Sequence, residues 1–125
     1  WTQLSPTGSA PITRVGHTAV YDMVNNRMTI FGGLNFGYGY LNDIWVLSNA
    51  NGLDSTTTAW TQLLPTGSIP TTRLAHTAIY DNTNNLMILF GGAFGGSIRL
   101  NDVWVFNPNG IPTSIPKRNW ELLDE

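Results

Sequence analysis

Cysteine is absent from the 125 residues, which excludes disulfides, thiolate metal sites and a cysteine nucleophile together. Charge is scarce as well: Asp, Glu, Lys and Arg make up 11% of the chain, against roughly 25% in soluble domains. Lysine occurs once, at Lys117. The net charge of −2 comes without any run of like charges, so the chain offers no electrostatic footprint for nucleic acid or an anionic membrane surface. No apolar run is long enough to span a bilayer as a helix. Helical periodicity is missing throughout, and nothing calls for a metal or another cofactor. Gly, Asn, Thr and Ser fill the polar positions instead, a Lys-poor composition that points to a secreted or cell-surface protein. Neither an initiator Met nor a signal peptide stands at Trp1, which points to a processed, trimmed or excised piece.

What is present is repetition. Arg14 to Trp45 is said again, nearly in full, from Arg73 to Trp104, at a constant offset of 59 residues. Arg14 recurs as Arg73, His17 as His76, Tyr21-Asp22 as Tyr80-Asp81, Phe31-Gly32-Gly33 as Phe90-Gly91-Gly92, and Leu41-Asn42-Asp43 as Leu100-Asn101-Asp102. Trp1-Thr2-Gln3-Leu4 recurs as Trp60-Thr61-Gln62-Leu63 and, degraded, as Trp120-Glu121-Leu122-Leu123. A fixed period of this length marks a repeat architecture, in which one unit cannot bury its own apolar face.

Within a unit, short apolar-polar alternations alternate with turn residues. Trp1–Leu4 reads as a brief strand with an aromatic anchor, and Ser5–Thr13 as a Pro/Gly/Ser loop copied by Leu64–Thr72. Val15–Tyr21 reads as a strand closed by a turn at Asn25-Asn26, whose residues tolerate a left-handed backbone. Arg27–Phe31 returns as a second strand that stops at Gly32-Gly33. Its copy, Leu86-Met87-Ile88-Leu89-Phe90, is apolar at every position, which predicts that both faces of the sheet are covered. A variable loop follows, Leu34–Tyr40 and Ala93–Arg99, then a third strand from Asp43 to Leu47. Trp60 opens the fourth. The units divide the chain into a fourth-strand motif with its following loop (residues 1–13), one four-stranded unit (14–63) and a second with a closing Trp strand (64–125).

Tandem four-stranded sheets that are apolar on both faces stack radially into a β-propeller of four to eight blades. Gly16, Ala19, Ala75 and Ala78 suit a first strand crowded near the axis. The motif PxxRxGHTAVYD at Pro11–Asp22, MxIFGG at Met28–Gly33, LNDxWV at Leu41–Val46 and the Trp at Trp60 resemble kelch repeats, and the second copy matches with Ala75 in place of the glycine. The fold class this implies is all-β, two kelch-like propeller blades of four antiparallel strands each. Two blades leave wide apolar faces open. Three readings follow: further blades come from the rest of a longer chain, or from own copies, three chains making a six-bladed ring, or the two blades stand alone as a monomer.

The repeated polar residues carry a structural reading. His17 and His76 hold equivalent positions in neighbouring blades and so point the same way around a ring, which suits hydrogen bonding within or between blades better than a shared metal. Repeated charge in a charge-poor protein means paired charge: Arg14 and Arg73 are expected to grip Asp43 and Asp102 bidentately. Gly32, Gly33, Gly91 and Gly92 lack the helix and lysine of a phosphate loop and supply a sharp turn near the axis. Trp45, Trp60 and Trp104, with Trp1 and Trp120, read as blade-to-blade packing.

Binding falls to the parts that do not repeat. Phe36, Tyr38 and Tyr40 stand among glycines in one variable loop, Phe94 and Arg99 in the other, and recognition in repeat proteins sits on the loops of one face. The resemblance implies a non-catalytic module that binds a protein or peptide. Glycan binding through Tyr38 and Tyr40, a purely structural repeat, or a part of a larger enzyme like galactose oxidase are the alternatives. The copper-radical site of that enzyme needs a cysteine-modified tyrosine, so this segment does not supply it.

Overall fold

In the computed structural model of the chain, residues 1–108 are described. They form seven strands in two antiparallel sheets and no helix. The first sheet has the order β1 (Thr18–Asp22), β2 (Arg27–Asn35), β3 (Gly39–Ser48), β4 (Ala59–Leu63); the second has β5 (Thr77–Asp81), β6 (Leu86–Phe94), β7 (Ile98–Phe106). The Trp120–Leu123 motif lies outside the described residues.

Local chemistry sets the hairpins. Asp22 is buried, and its carboxylate accepts from the backbone N–H groups of Val24 and Asn25, at 3.0 and 3.1 Å, and from Arg27 Nη2 at 2.8 Å. Asn26 then takes a positive φ of 50° and closes the turn. Such side-chain-to-backbone bonding gives the chain a turn without a glycine. Asp81 repeats the device, accepting from Thr83 N and Asn84 N, and Asn85 repeats the left-handed residue at φ 60°.

Several expectations need correction. Trp1–Leu4 forms no strand, and Trp1 is fully exposed. The first strand starts at Thr18; Val15 contributes only a single bridge to Leu34. The glycine pair does not end the second strand. Strand β2 runs on to Asn35 through a register shift between Phe31 and Gly33, and β6 does the same between Phe90 and Gly92. Each strand can bulge there because a Cβ on Gly33 would stand 2.7 Å from Val15 O, and one on Gly92 2.7 Å from Leu74 O, where only glycine fits. The two loops therefore shrink to hairpin tips, since Tyr40 already pairs with Leu34 and Arg99 with Ala93.

The sheets pack face to back. Register places Thr18, Phe31 and Ile44 side by side on one face of the first sheet, with Leu63 next to Ile44 and Val20 one pleat further on. That face meets the Ala78–Leu89–Trp104 and Tyr80–Met87–Phe106 rows of the second sheet, and the shared core is Val20, Phe31, Ile44, Met87 and Leu89. Fully burying each such side chain is worth about 1.5–3 kcal/mol. The two sheets thus use different faces, so the arrangement is directional. Coverage on both faces of β6 does not hold among the described residues. Phe31 is 2% exposed but its repeat partner Phe90 is 51% exposed, and Val20 at 7% becomes Ile79 at 65%. The second sheet's outer face, completed by Val103 and Val105, is open.

Candidate functional site

Two structural straps hold the end of the sheets where the hairpin tips lie. Arg14 reaches from the segment before β1 to β3: its Nη1 and Nη2 donate to Asp43 Oδ1 and Oδ2 at 2.6 and 2.9 Å, Nη1 also to Gly32 O, and Nε to Ile12 O. Trp45 Nε1 donates to the same carboxylate at 2.7 Å. Arg73 repeats every contact, with Asp102 at 2.6 and 2.8 Å, Gly91 O at 2.8 Å, Thr71 O at 3.0 Å and the Trp104 indole at 2.6 Å from Asp102. Arg73 is fully buried. Burial by itself would raise the Asp43 carboxyl, but the bonds from Arg14 and Trp45 outweigh it and hold it below the usual range. Hydrogen bonding from Arg73 takes Asp102 down to about 2. Both carboxylates are accordingly structural anions engaged by bidentate guanidinium, not a free acid-base pair.

The histidines part company. His76 is buried between the sheets, its Nε2 2.7 Å from Thr18 Oγ1 and its ring edge-on to Phe31 at 5.3 Å. Burial, and then the Arg73 charge, push it down to about 4, so it is neutral at pH 7. Backbone bonds reinforce this junction: Gly33 N donates to Arg73 O at 2.8 Å, Arg73 N to Leu41 O at 3.0 Å and Ala75 N to Gly16 O at 2.8 Å. Asn42 adds Nδ2 to Pro70 O at 3.0 Å. His17, in contrast, is exposed and makes no hydrogen bond among the described residues.

Of the tryptophans, Trp104 packs on the inter-sheet core, and Trp45 and Trp60 are half-buried on the opposite side of the first sheet. An apolar cleft of about 410 Å³ opens between the sheets beneath residues 64–70, bounded by Phe31, Ile44, Leu63, Ile69, Leu89 and Trp104. Its described walls bear no titratable side chain.

The hairpin tips bring the non-repeating residues together. Tyr40 at the start of β3 and Phe94 at the end of β6 meet edge to face, ring centroids 5.6 Å apart, so the β2–β3 and β6–β7 tips form one surface. Phe36 and Tyr38 stand clear of it, 88% and 80% exposed, with Arg99 exposed on the second tip. Asn35, which sequence reasoning passed over, shapes the first tip: its Oδ1 accepts from Gly37 N and Tyr38 N at 2.8 and 2.9 Å, while Nδ2 donates to Thr13 O at 2.7 Å. The Asn-Phe-Gly-Tyr string was the available signal, an Asn two residues before a Gly. Ile98, half exposed on the second tip, was also missed. Arg99 Nη1 donates to Gly96 O at 3.2 Å and has no carboxylate partner among the described residues.

Short antiparallel sheets stacked face to back, each strapped by an Arg–Asp pair at a Gly-Gly bulge, define a pair of β-propeller blades. The chain belongs to the kelch-repeat family: residues 1–120 match the model of the KLHDC2/KLHL20/DRC7 Kelch-repeats domain. It is 31% identical over 125 residues to host cell factor homolog hcf-1 of Caenorhabditis elegans, covering 89% of this chain and 15% of that protein. It is 40% identical over 92 residues to dynein regulatory complex subunit 7 of Chlamydomonas reinhardtii, covering 71% and 7%. Human Kelch domain-containing protein 3 is 32% identical over 114 residues, covering 86% and 28%. The chain thus spans less than a third of the length of each of these relatives.

Proposed function

We propose that the chain is a non-catalytic protein- or peptide-binding module whose contact surface is the joined pair of hairpin tips. The carrying observation is the Tyr40–Phe94 contact, which sets the exposed Phe36 and Tyr38 and the free guanidinium face of Arg99 on one continuous surface. Tyr, Phe and Arg are the side chains enriched at protein interfaces. The Asn35 bonds hold the first tip in shape before a partner arrives, which lowers the ordering cost of binding. Kelch-repeat relatives that include a subunit of a dynein regulatory complex are in keeping with an assembly role. The repeated Arg and Asp residues and His76 are engaged in the straps, the turns and the blade junction, and His17 stands apart from any carboxylate among the described residues, which favours a binding reading over an enzymatic one. A secreted or cell-surface location belongs to the same proposal and rests on the Lys-poor composition.

Selection of a displayed random-peptide library against the chain tests this. Selected peptides are expected to lose at least about tenfold in affinity, about 1.4 kcal/mol, on Tyr38→Ala or Phe36→Ala. Peptides that bind both variants as tightly as the parent overturn the assignment.

A further inference from the structure

The contacts that join the two blades are written into the sequence a second time, and among the described residues that second set is unused. Moving the observed junction forward by one 59-residue repeat puts Thr77 where Thr18 was, Phe90 where Phe31 was and Asn101 where Asn42 was. All three are exposed, and among the described residues neither Thr77 nor Asn101 makes a side-chain hydrogen bond. Their counterparts are occupied: Thr18 by His76 Nε2, Phe31 by the His76 ring, and Asn42 by Pro70 O. The complementary half is also present, on the first blade. His17 stands where His76 stands and is exposed with no hydrogen-bond partner among the described residues, and Pro11, Arg14 and Gly16 are the counterparts of Pro70, Arg73 and Ala75.

We infer that the open face of the second blade is a docking surface for the first blade of another copy of this chain. In that junction the neighbouring copy's His17 meets Thr77 and Phe90, its Pro11 carbonyl accepts from Asn101, and its Arg14 and Gly16 backbone groups pair with Gly92, Leu100 and Ala75. The apolar parts match in part. The exposed Phe90, Ile79 and Val103 repeat the buried Phe31, Val20 and Ile44. On the first blade the exposed Ala19 and the half-buried Met28 and Trp45 repeat Ala78, Met87 and Trp104, while Ile30, the counterpart of Leu89, is already buried within the chain. Two contacts have no counterpart. Met23 N donates to Asn82 Oδ1 at 3.0 Å, and position 23 carries no side-chain acceptor for the next junction; and Arg27, which bears on the Tyr80 hydroxyl from the first blade, repeats as the apolar Leu86. The interface is head-to-tail, so it propagates until a rotation closes. Propellers close at four to eight blades, and three copies with two blades each make six. This inference uses the sheet faces, not the hairpin tips, and stands or falls separately from the peptide-binding proposal.

The absence of cysteine makes the test direct. His17→Cys and Thr77→Cys chains are mixed and treated with a short bis-maleimide, and each is also treated alone. Both positions are exposed in the single chain, so the variants are expected to fold. Cross-linked dimer is expected from the mixture and not from either variant alone, and light scattering of the unmodified chain is expected to show a discrete species near three times 13.7 kDa. Phe90→Asp is expected to return that species to monomer with an unchanged circular dichroism spectrum. A 13.7 kDa monomer throughout a micromolar-to-millimolar series overturns the inference and leaves the face to blades of a longer chain. Equal cross-linking of each variant alone overturns it too.

Discussion

Replacing Arg73 by methionine tests the strap on which the second blade hangs. The side chain is fully buried and makes four hydrogen bonds, two to Asp102 and one each to the Thr71 and Gly91 carbonyls. Methionine keeps most of the volume and removes every donor. Breaking a buried ion pair from one side costs about 3–5 kcal/mol because the partner is left uncompensated. Asp102 is 37% exposed and can rehydrate, so the lower end applies, about 3 kcal/mol. Against a total of about 5–15 kcal/mol for an ordinary domain this is a large fraction. Urea unfolding at pH 7, followed by the fluorescence of the tryptophans, measures it, and the Arg73→Met/Asp102→Leu double variant gives the coupling between the partners. A loss below about 1 kcal/mol, the value of a surface pair, refutes the reasoning.

Four further outcomes are expected. His76 is held at about 4 in the folded chain against 6.5 when unfolded, so its contribution is complete above the unfolded value. It drains away as pH falls through 6.5 toward 4, by about 3 kcal/mol in all. Urea midpoints that stay flat between pH 7 and pH 4.5, or that fall equally in His76→Gln, contradict this. The carboxylate straps act in a lower window: Asp43 and Asp102 are depressed, so their contribution is present above the ordinary Asp value of about 3.9 and is lost only below it. Gly92→Ala should cost about 2 kcal/mol or more, since φ there is +100° and the new Cβ would stand 2.7 Å from Leu74 O; a thermal midpoint within error of the parent refutes the close-approach account. Asn35→Ala should leave global stability within about 0.5 kcal/mol, as surface changes do, yet weaken selected peptides by loosening the tip; unaltered affinity contradicts the preorganisation argument.

Much of this fold can be read from the repeat. The 59-residue offset carries the blade count, the strand order and the Arg14–Asp43 and Arg73–Asp102 partnership, because a buried charge must bring its partner and both recur together. Less legible was where strands end. Gly32-Gly33 looks like a stop, but the pair lies at a bulge and pairing resumes at Leu41 and Tyr40 beyond it, a tertiary effect of Val15 and His17 lying against Gly33. The difference between His17 and His76 was invisible for a simpler reason. Closely similar neighbours in sequence become different environments when only one of the two positions has a blade beside it. The all-apolar run of β6 likewise states what the face requires of a neighbour, not whether this chain holds that neighbour. Among the candidate binding residues, Phe36 and Tyr38 owe their exposure to the tip, whereas Tyr40 and Phe94 are half-buried on each other, a pairing across two hairpins that sequence distance conceals.

The central claim, that binding belongs to the joined hairpin tips, is tested most directly by titrating a selected peptide into uniformly labelled chain and following backbone amide shifts. The account predicts changes concentrated at Asn35–Tyr40 and Phe94–Arg99, with the turns at Asp22–Arg27 and Asp81–Leu86 at the opposite end of the sheets unmoved. Shifts confined to those opposite turns, or to the cleft residues Leu63 and Ile69, would contradict it.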